Sequence, residues 1–259
     1  MKSPLAHKNL YGLIGYPLVH SFSMDFFNQK FAAEDIDAQY VNFEIEDLGL
    51  LMEIIAEYPN LNGLNVTAPY KEAVIPYLDS LSDEAREVGA VNVIKVIRDS
   101  KTGEPSGLRG FNTDVVGFGQ TIEGLLTPPR TRAMVLGTGG AAKAVGAALR
   151  RLGVEVQPVS RFKSEHTLVY EELTRAMVAA CKIVVNATPV GQYPNDSACP
   201  DFPYRFLSPE HLCYDLVYNP EDTLFMRNSA QHGAEVKNGL EMLLLQAFAA
   251  YEIWTNDQP

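Results

Sequence analysis

Short apolar runs alternate with helix-spaced apolar positions along most of the chain. Residues 10–14, 40–45 and 61–66 are rich in branched and aromatic side chains and predict strands. Between them, Met24, Phe27 and Phe31 fall on one helical face, as do Leu48, Leu51, Met52 and Ile55, and Pro59 ends the second helix. Residues 91–97 predict another strand. The turn-rich stretch 98–110 predicts a hairpin or an exposed loop. A helix is predicted from Thr113 to Leu126, and Thr127-Pro128-Pro129 breaks it.

The second half repeats the rhythm. Residues 133–136 form a short buried strand, followed by Gly137-Thr138-Gly139-Gly140 and an alanine-rich helix to about Leu152. Residues 154–159, 183–185 and 212–216 predict further strands, and a last helix runs from Gly239 to about Trp254. Strand, helix, strand in this order predicts a parallel sheet with right-handed crossovers. The pattern predicts two α/β units with a boundary near residue 113.

Composition narrows the function classes. The 259 residues are 46% hydrophobic and 20% charged, which excludes wholesale disorder. The formal net charge of −11 argues against a general nucleic-acid or anionic-membrane binder. Cys181, Cys199 and Cys213 match no zinc or redox spacing, and the scattered His7, His20, His166, His211 and His232 form no metal pattern. No segment has the ~18 apolar residues of a membrane span. The N-terminal stretch lacks a secretory apolar run, so a soluble, cytoplasmic protein is expected.

Two regions carry chemistry. In the first, a strand, a glycine turn and a helix start combine in Met134-Val135-Leu136-Gly137-Thr138-Gly139-Gly140-Ala141-Ala142. Gly137 permits the tight turn, Gly139 lets backbone approach a pyrophosphate, and Ala142 takes the close-packing position. The helix N-terminus offers N–H groups and a positive dipole end. The tip of the next strand reads Pro158-Val159-Ser160-Arg161, without the carboxylate that holds an NAD ribose. Arg161, with Lys163 nearby, suits a 2′-phosphate, so NADP is favoured over NAD.

The second region is a set of neutral polar groups in the first unit. Ser21 and Ser23 follow the first strand, where plain helix capping is the competing role. Asn65 and Thr67 share one side of a strand end, and Lys71 falls in the first turn of a helix, where the dipole disfavours it. Asn92 interrupts an apolar run, so a structural hydrogen bond competes with ligand contact. Asp114 begins the joining helix, a position where a carboxylate is an ordinary dipole complement. Together these groups suit a small polyhydroxylated substrate, with Lys71 and Asp114 left for proton transfer.

The segments GYPLVHSFS, NVTAPYK, GAVNV, GFNTD, GTGGAAKA, NATPVG, DLVYNP and NGLEMLLLQA, in this order, resemble those of the shikimate/quinate dehydrogenase family. The resemblance spans nearly the whole chain. It implies an α/β fold with an N-terminal α/β substrate domain at 1–113, completed by 238–259. A Rossmann-like NADP-binding domain at 114–237 lies between, with the active site in the cleft and the C-terminal helix returning to the substrate domain. The implied activity is reversible NADPH-dependent reduction of 3-dehydroshikimate to shikimate. An NAD-preferring quinate/shikimate dehydrogenase, a catalytically silent NADP-binding regulatory homologue and a folate-type dehydrogenase are the alternatives. The last explains the glycine loop but not Ser21, Ser23 and Gln246.

By resemblance, Ser21 and Ser23 hold the substrate carboxylate, with Tyr218 near it. Asn65, Thr67, Asn92, Asp114 and Gln246 bind the hydroxyls, and Lys71 and Asp114 are the catalytic pair. Gly137, Thr138, Gly139, Gly140 and Ala141 cradle the pyrophosphate of NADP. Ser160 and Arg161 face the ribose phosphate, while Thr188, Leu216 and Gly239 line the path to the nicotinamide. Asp83 matches a cofactor-side acidic position. The implied partner is shikimate or 3-dehydroshikimate, with no nucleic acid or membrane, in a monomer or homodimer. The chain departs from the family at Met24, Phe27, Phe162 and Glu165, the last standing where a basic residue is common.

Overall fold

A computed structural model describes residues 6–18, 22–99 and 101–256. The chain forms two units, one comprising residues up to Thr113 together with those from Ala247 onward, the other Asp114–Gln246.

The first unit runs β1 (Asn9–Gly15), α1 (Phe22–Ala33), β2 (Ala38–Glu44), α2 (Leu51–Glu57), β3 (Leu61–Val66), α3 (Tyr70–Ala73), β4 (Ser80–Leu81), α4 (Asp83–Val88), β5 (Val93–Arg98) and β6 (Pro105–Phe111). Its strands lie in the order β2-β1-β3-β5-β6-β4. β1 pairs in parallel with both β2 and β3, as the strand–helix–strand rhythm predicts. β5 is antiparallel to β3 and to β6, so the sheet is mixed rather than parallel throughout. The cause is local. Asp99 Oδ1 accepts the backbone N–H groups of Lys101 and Thr102, each at 2.9 Å, and closes a hairpin. The turn-rich stretch therefore supplies a turn and then a full strand.

Side chains alternate across this sheet. Leu10 and Ile14 join Leu51, Ile55, Leu64 and Ile94 on one face. Tyr11 and Leu13 join Phe27, Phe31, Tyr40 and Trp254 on the other. Met52 does not face the core but is half exposed, and Ile54 is buried instead. A tight 3-10 turn over Leu48–Leu50 precedes α2 and shifts the phase of its apolar stripe. Trp254 lies directly on Gly63, where a Cβ would stand 2.1 Å from its Cδ1, and its indole N–H donates to Ile94 O at 3.0 Å.

The second unit runs α5 (Asp114–Glu123), β7 (Arg132–Leu136), α6 (Gly140–Arg151), β8 (Glu155–Ser160), β9 (Leu168–Val169), α7 (Arg175–Ala180), β10 (Ile183–Asn186), β11 (Leu212–Asp215), α8 (Leu224–Gln231), β12 (Glu235–Lys237) and α9 (Leu240–Thr255), whose later residues belong to the first unit. The strand order is β12-β11-β10-β7-β8-β9 and every pairing is parallel. Parallel strands buried on both faces read as apolar runs, which is why residues 133–136 and 183–185 stand out in the sequence. α5 ends at Glu123, before the predicted Leu126, because Gly124 disfavours continuation and Leu125 N–H turns back to Ile122 O at 2.8 Å. Among the described residues, no helix is long and apolar enough to cross a membrane. Cys181 and Cys213 are buried, Cys199 is half-buried, and all three are free thiols.

Candidate active site

In the first unit two of the predicted substrate groups, Asn65 and Asn92, share one buried network. β3 delivers Asn65, which is buried at the C-terminal end of the strand. Its Nδ2 donates to Asn92 O at 3.3 Å, and its Oδ1 accepts the Tyr40 hydroxyl at 2.7 Å. Asn92 precedes β5 and is bonded twice to Thr113. Its Oδ1 accepts the Thr113 N–H at 2.8 Å, and its Nδ2 donates to Thr113 Oγ1 at 2.9 Å. Next to it, Asn112 Nδ2 donates to Ala90 O at 2.9 Å.

Thr67 follows β3 and packs against Gly15, where a Cβ would lie 2.4 Å from Thr67 Cγ2. Its carbonyl accepts the Tyr70 N–H at 2.9 Å and opens the short α3. Lys71 is half-buried on α3, and its carbonyl accepts the Val91 N–H at 2.7 Å, which ties the helix to the segment before Asn92. Ser21 lies outside the described residues.

In the second unit the cofactor candidates gather at the C-terminal ends of the parallel strands, the usual ligand edge of such sheets. Gly137 has φ +113°, a region that favours glycine, and a Cβ there would stand 3.1 Å from Ala187 O and 3.2 Å from Thr188 Cγ2. Its N–H donates to Val159 O at 2.8 Å, beside Ser160 and Arg161 at the tip of β8. Gly139 is the N-cap of α6, with no side-chain cap and open space where a Cβ would be. That opening, with Thr138, Gly140 and Ala141 around a helix N-terminus, suits a pyrophosphate. Gly239 approaches Leu216 so closely that a Cβ would lie 2.1 Å from Leu216 O.

A carboxylate network supports this edge. Asp215 is fully buried at the end of β11. It accepts hydrogen bonds from Asn186 Nδ2 (2.9 Å), Val217 N–H (3.0 Å) and Thr223 Oγ1 (2.6 Å). Asn186 Oδ1 in turn accepts the Thr188 hydroxyl at 2.6 Å and the Thr188 N–H at 3.1 Å. Burial pushes the Asp215 carboxyl up to about 6, against the three hydrogen bonds that favour its ionised form.

At the β8 tip, Arg161 is exposed and lies over the Phe162 ring at 5.7 Å, and Phe162 itself is 75% exposed. Lys163 is engaged by both Glu172 carboxylate oxygens at 2.6 and 2.7 Å. Of the remaining candidates, Asp114 is the buried first residue of α5. Tyr218 is half-buried, and burial raises its phenol above the ordinary value. Gln246 Nε2 donates to Leu243 O at 2.9 Å. Asp83 is on α4 of the first unit, exposed and paired with Arg86 at 2.8 Å.

The sequence profile of the shikimate dehydrogenase substrate binding domain matches residues 13–94. The shikimate dehydrogenase (NADP(+)) of Desulforamulus reducens is 35% identical over 268 residues, covering 94% of this chain and 89% of that protein. This chain belongs to the shikimate dehydrogenase family. Shikimate 5-dehydrogenase from Thermus thermophilus, solved in complex with NADP(H) and shikimate, superimposes with a TM-score of 0.81 at 31% identity, covering 97% of this chain and 95% of that one. Quinate dehydrogenase from Corynebacterium glutamicum, in complex with NAD, gives a TM-score of 0.81 at 29% identity, covering 96% and 94%. The family fold, an N-terminal substrate domain and a Rossmann-like NADP-binding domain, is the fold of this chain.

Sequence reasoning missed Tyr40, Thr113, Asn186, Asp215 and Thr223. Asn186 and Asp215 carried a usable signal, since each is a lone polar residue ending an apolar strand, as Asn92 is in its own run. Tyr40 carried none, because a tyrosine in a β-rich run is an ordinary strand residue.

Proposed function

We propose that this chain catalyses the reversible, NADPH-dependent reduction of 3-dehydroshikimate to shikimate, a step toward chorismate and the aromatic amino acids. The observation that carries the reading is the Asn65–Asn92–Thr113 network. It gathers the neutral hydrogen-bonding groups that a polyhydroxylated ring requires, in a chain of this family. Asn65, Thr67, Asn92 and Gln246 hold the substrate hydroxyls, while Ser21, Ser23 and Tyr218 serve the carboxylate.

Residues Gly137 to Ala141 hold the pyrophosphate, Ser160 and Arg161 the ribose phosphate, and Thr188, Leu216 and Gly239 the nicotinamide end. When bound, NADPH supplies the hydride. As negative charge grows on the C3 oxygen, the Lys71 ammonium stabilises it and delivers a proton. Asp114 holds the adjacent hydroxyl and shares the proton transfer. The protein acts on a small molecule, in the cytoplasm, as a monomer or homodimer.

Lys71→Ala tests the assignment. It is expected to lower kcat on the order of 10²–10⁴-fold, the range of general acid–base groups, with little change in shikimate KM. A kcat within a few-fold of wild type would remove Lys71 from the proton-transfer step.

A further inference from the structure

Tyr40 is held at its backbone, its ring and its hydroxyl beside Asn65. Its backbone N–H donates to Asn28 Oδ1 and its carbonyl accepts Asn28 Nδ2, both at 2.9 Å, so one side-chain amide clamps the residue on β2. Its ring stacks on Phe27 with centroids 4.8 Å apart and planes 14° from parallel. Trp254 closes the same cluster at 6.3 Å. Ser23 lies one helical turn before Phe27 on α1, on the same face. The ring is fully buried, and its hydroxyl is 2.7 Å from Asn65 Oδ1.

The direction of the hydrogen bonds follows from the chemistry of the groups. A carboxamide oxygen only accepts, so the Tyr40 proton points to Asn65. Asn65 is therefore held with its oxygen toward Tyr40. Its amide group donates to Asn92 O and keeps its second N–H as a donor.

We propose that Tyr40 is a positioning residue for shikimate. Its hydroxyl locks the Asn65 carboxamide in the orientation that presents an N–H to a substrate hydroxyl. Without that lock the amide is held only by its contact with Asn92 O, and its oxygen has no donor in a buried site. The inference rests on Asn65 being a substrate ligand.

The test is steady-state kinetics of wild type, Tyr40→Phe, Asn65→Ala and the double variant, varying shikimate and NADP separately. Tyr40→Phe keeps the stacked ring and removes only the hydroxyl. It is expected to raise shikimate KM about 3- to 10-fold, the equivalent of one hydrogen bond, and to leave NADP KM unchanged. In the Asn65→Ala background the same substitution is expected to have no further effect on shikimate KM, whereas a purely structural role gives additive effects. A Tyr40→Phe protein with wild-type shikimate KM, or an equal effect in both backgrounds, overturns the proposal alone. An Asn65→Ala protein with wild-type shikimate KM overturns the proposal together with the ligand assignment. If Tyr40→Phe does not fold, a fluorotyrosine at position 40 keeps the ring and alters the donor strength. Shikimate KM is then expected to shift, and an unmoved shikimate KM overturns the proposal.

Discussion

Asn92 and Thr113 exchange two hydrogen bonds, side chain to backbone at 2.8 Å and side chain to side chain at 2.9 Å. Both residues are buried, and Thr113 immediately precedes Asp114 in the chain. The pairing thus fixes the backbone from which a proposed catalytic carboxylate departs, while the Asn92 carbonyl accepts from Asn65. Asn92→Ala leaves the Thr113 N–H without that partner. It is expected to cost about 1–3 kcal/mol of stability, the range for a buried group left unpaired. It is also expected to raise shikimate KM. Urea unfolding with parallel kinetics checks both, and unchanged stability would show that the pair is not structural.

Asp215 makes stability depend on pH in a defined direction. Its folded-state value of about 6 exceeds the ordinary 3.8, so the folded protein binds this proton more tightly than the unfolded chain. Below the lower value the carboxyl is protonated in both states and burial is least costly. As pH rises through the upper value the penalty grows to roughly 3 kcal/mol, taking 1.36 kcal/mol per unit. Asp215→Asn removes the ionisation and keeps an acceptor for Val217 and Asn186. The variant is therefore expected to gain stability relative to wild type between about pH 4 and about pH 7. Asp99, Glu172 and Glu210, held low by Thr102, Lys163 and Lys182, give the opposite slope. They are common to both proteins and cancel in the difference. A pH-independent difference would contradict the assignment.

Cofactor choice is expected to turn on two residues at the β8 tip. Arg161→Ala removes a charge-assisted fork and is expected to raise NADP KM roughly 10-fold or more while leaving NAD KM unmoved. Glu172→Gln releases Lys163 from its carboxylate pair and is expected to lower NADP KM. The effect should be small, about 2- to 5-fold, because exposed ion pairs are worth little. Equal NADP KM in wild type and Arg161→Ala would remove Arg161 from the site.

The alternation of apolar runs was enough to place most strands, because buried parallel strands are apolar on both faces. Asn65, Asn92, Lys71 and the Gly137–Gly139 turn were legible for a related reason: each is a polar or flexible residue in a place where an apolar or rigid one is the default. What was not legible depends on pairing across distance. The antiparallel β5 needs knowledge of its neighbour, and the exposure of Met52 depends on a 3-10 turn that shifts a helix by a fraction of a turn. Lys163 looks available to a phosphate in the sequence, yet its partner Glu172 is nine residues away on another segment. Tyr40 is ordinary in sequence, and only the folded positions of Phe27, Asn28 and Asn65 give it meaning.

The central claim is tested most directly by the initial rate of nicotinamide reduction by purified wild-type protein, followed by absorbance. Shikimate and quinate are each paired with NADP and with NAD. Rapid turnover with shikimate and NADP, and much slower turnover in the other pairs, is the predicted result. No turnover with shikimate and NADP, in a protein that still binds NADPH, would contradict it.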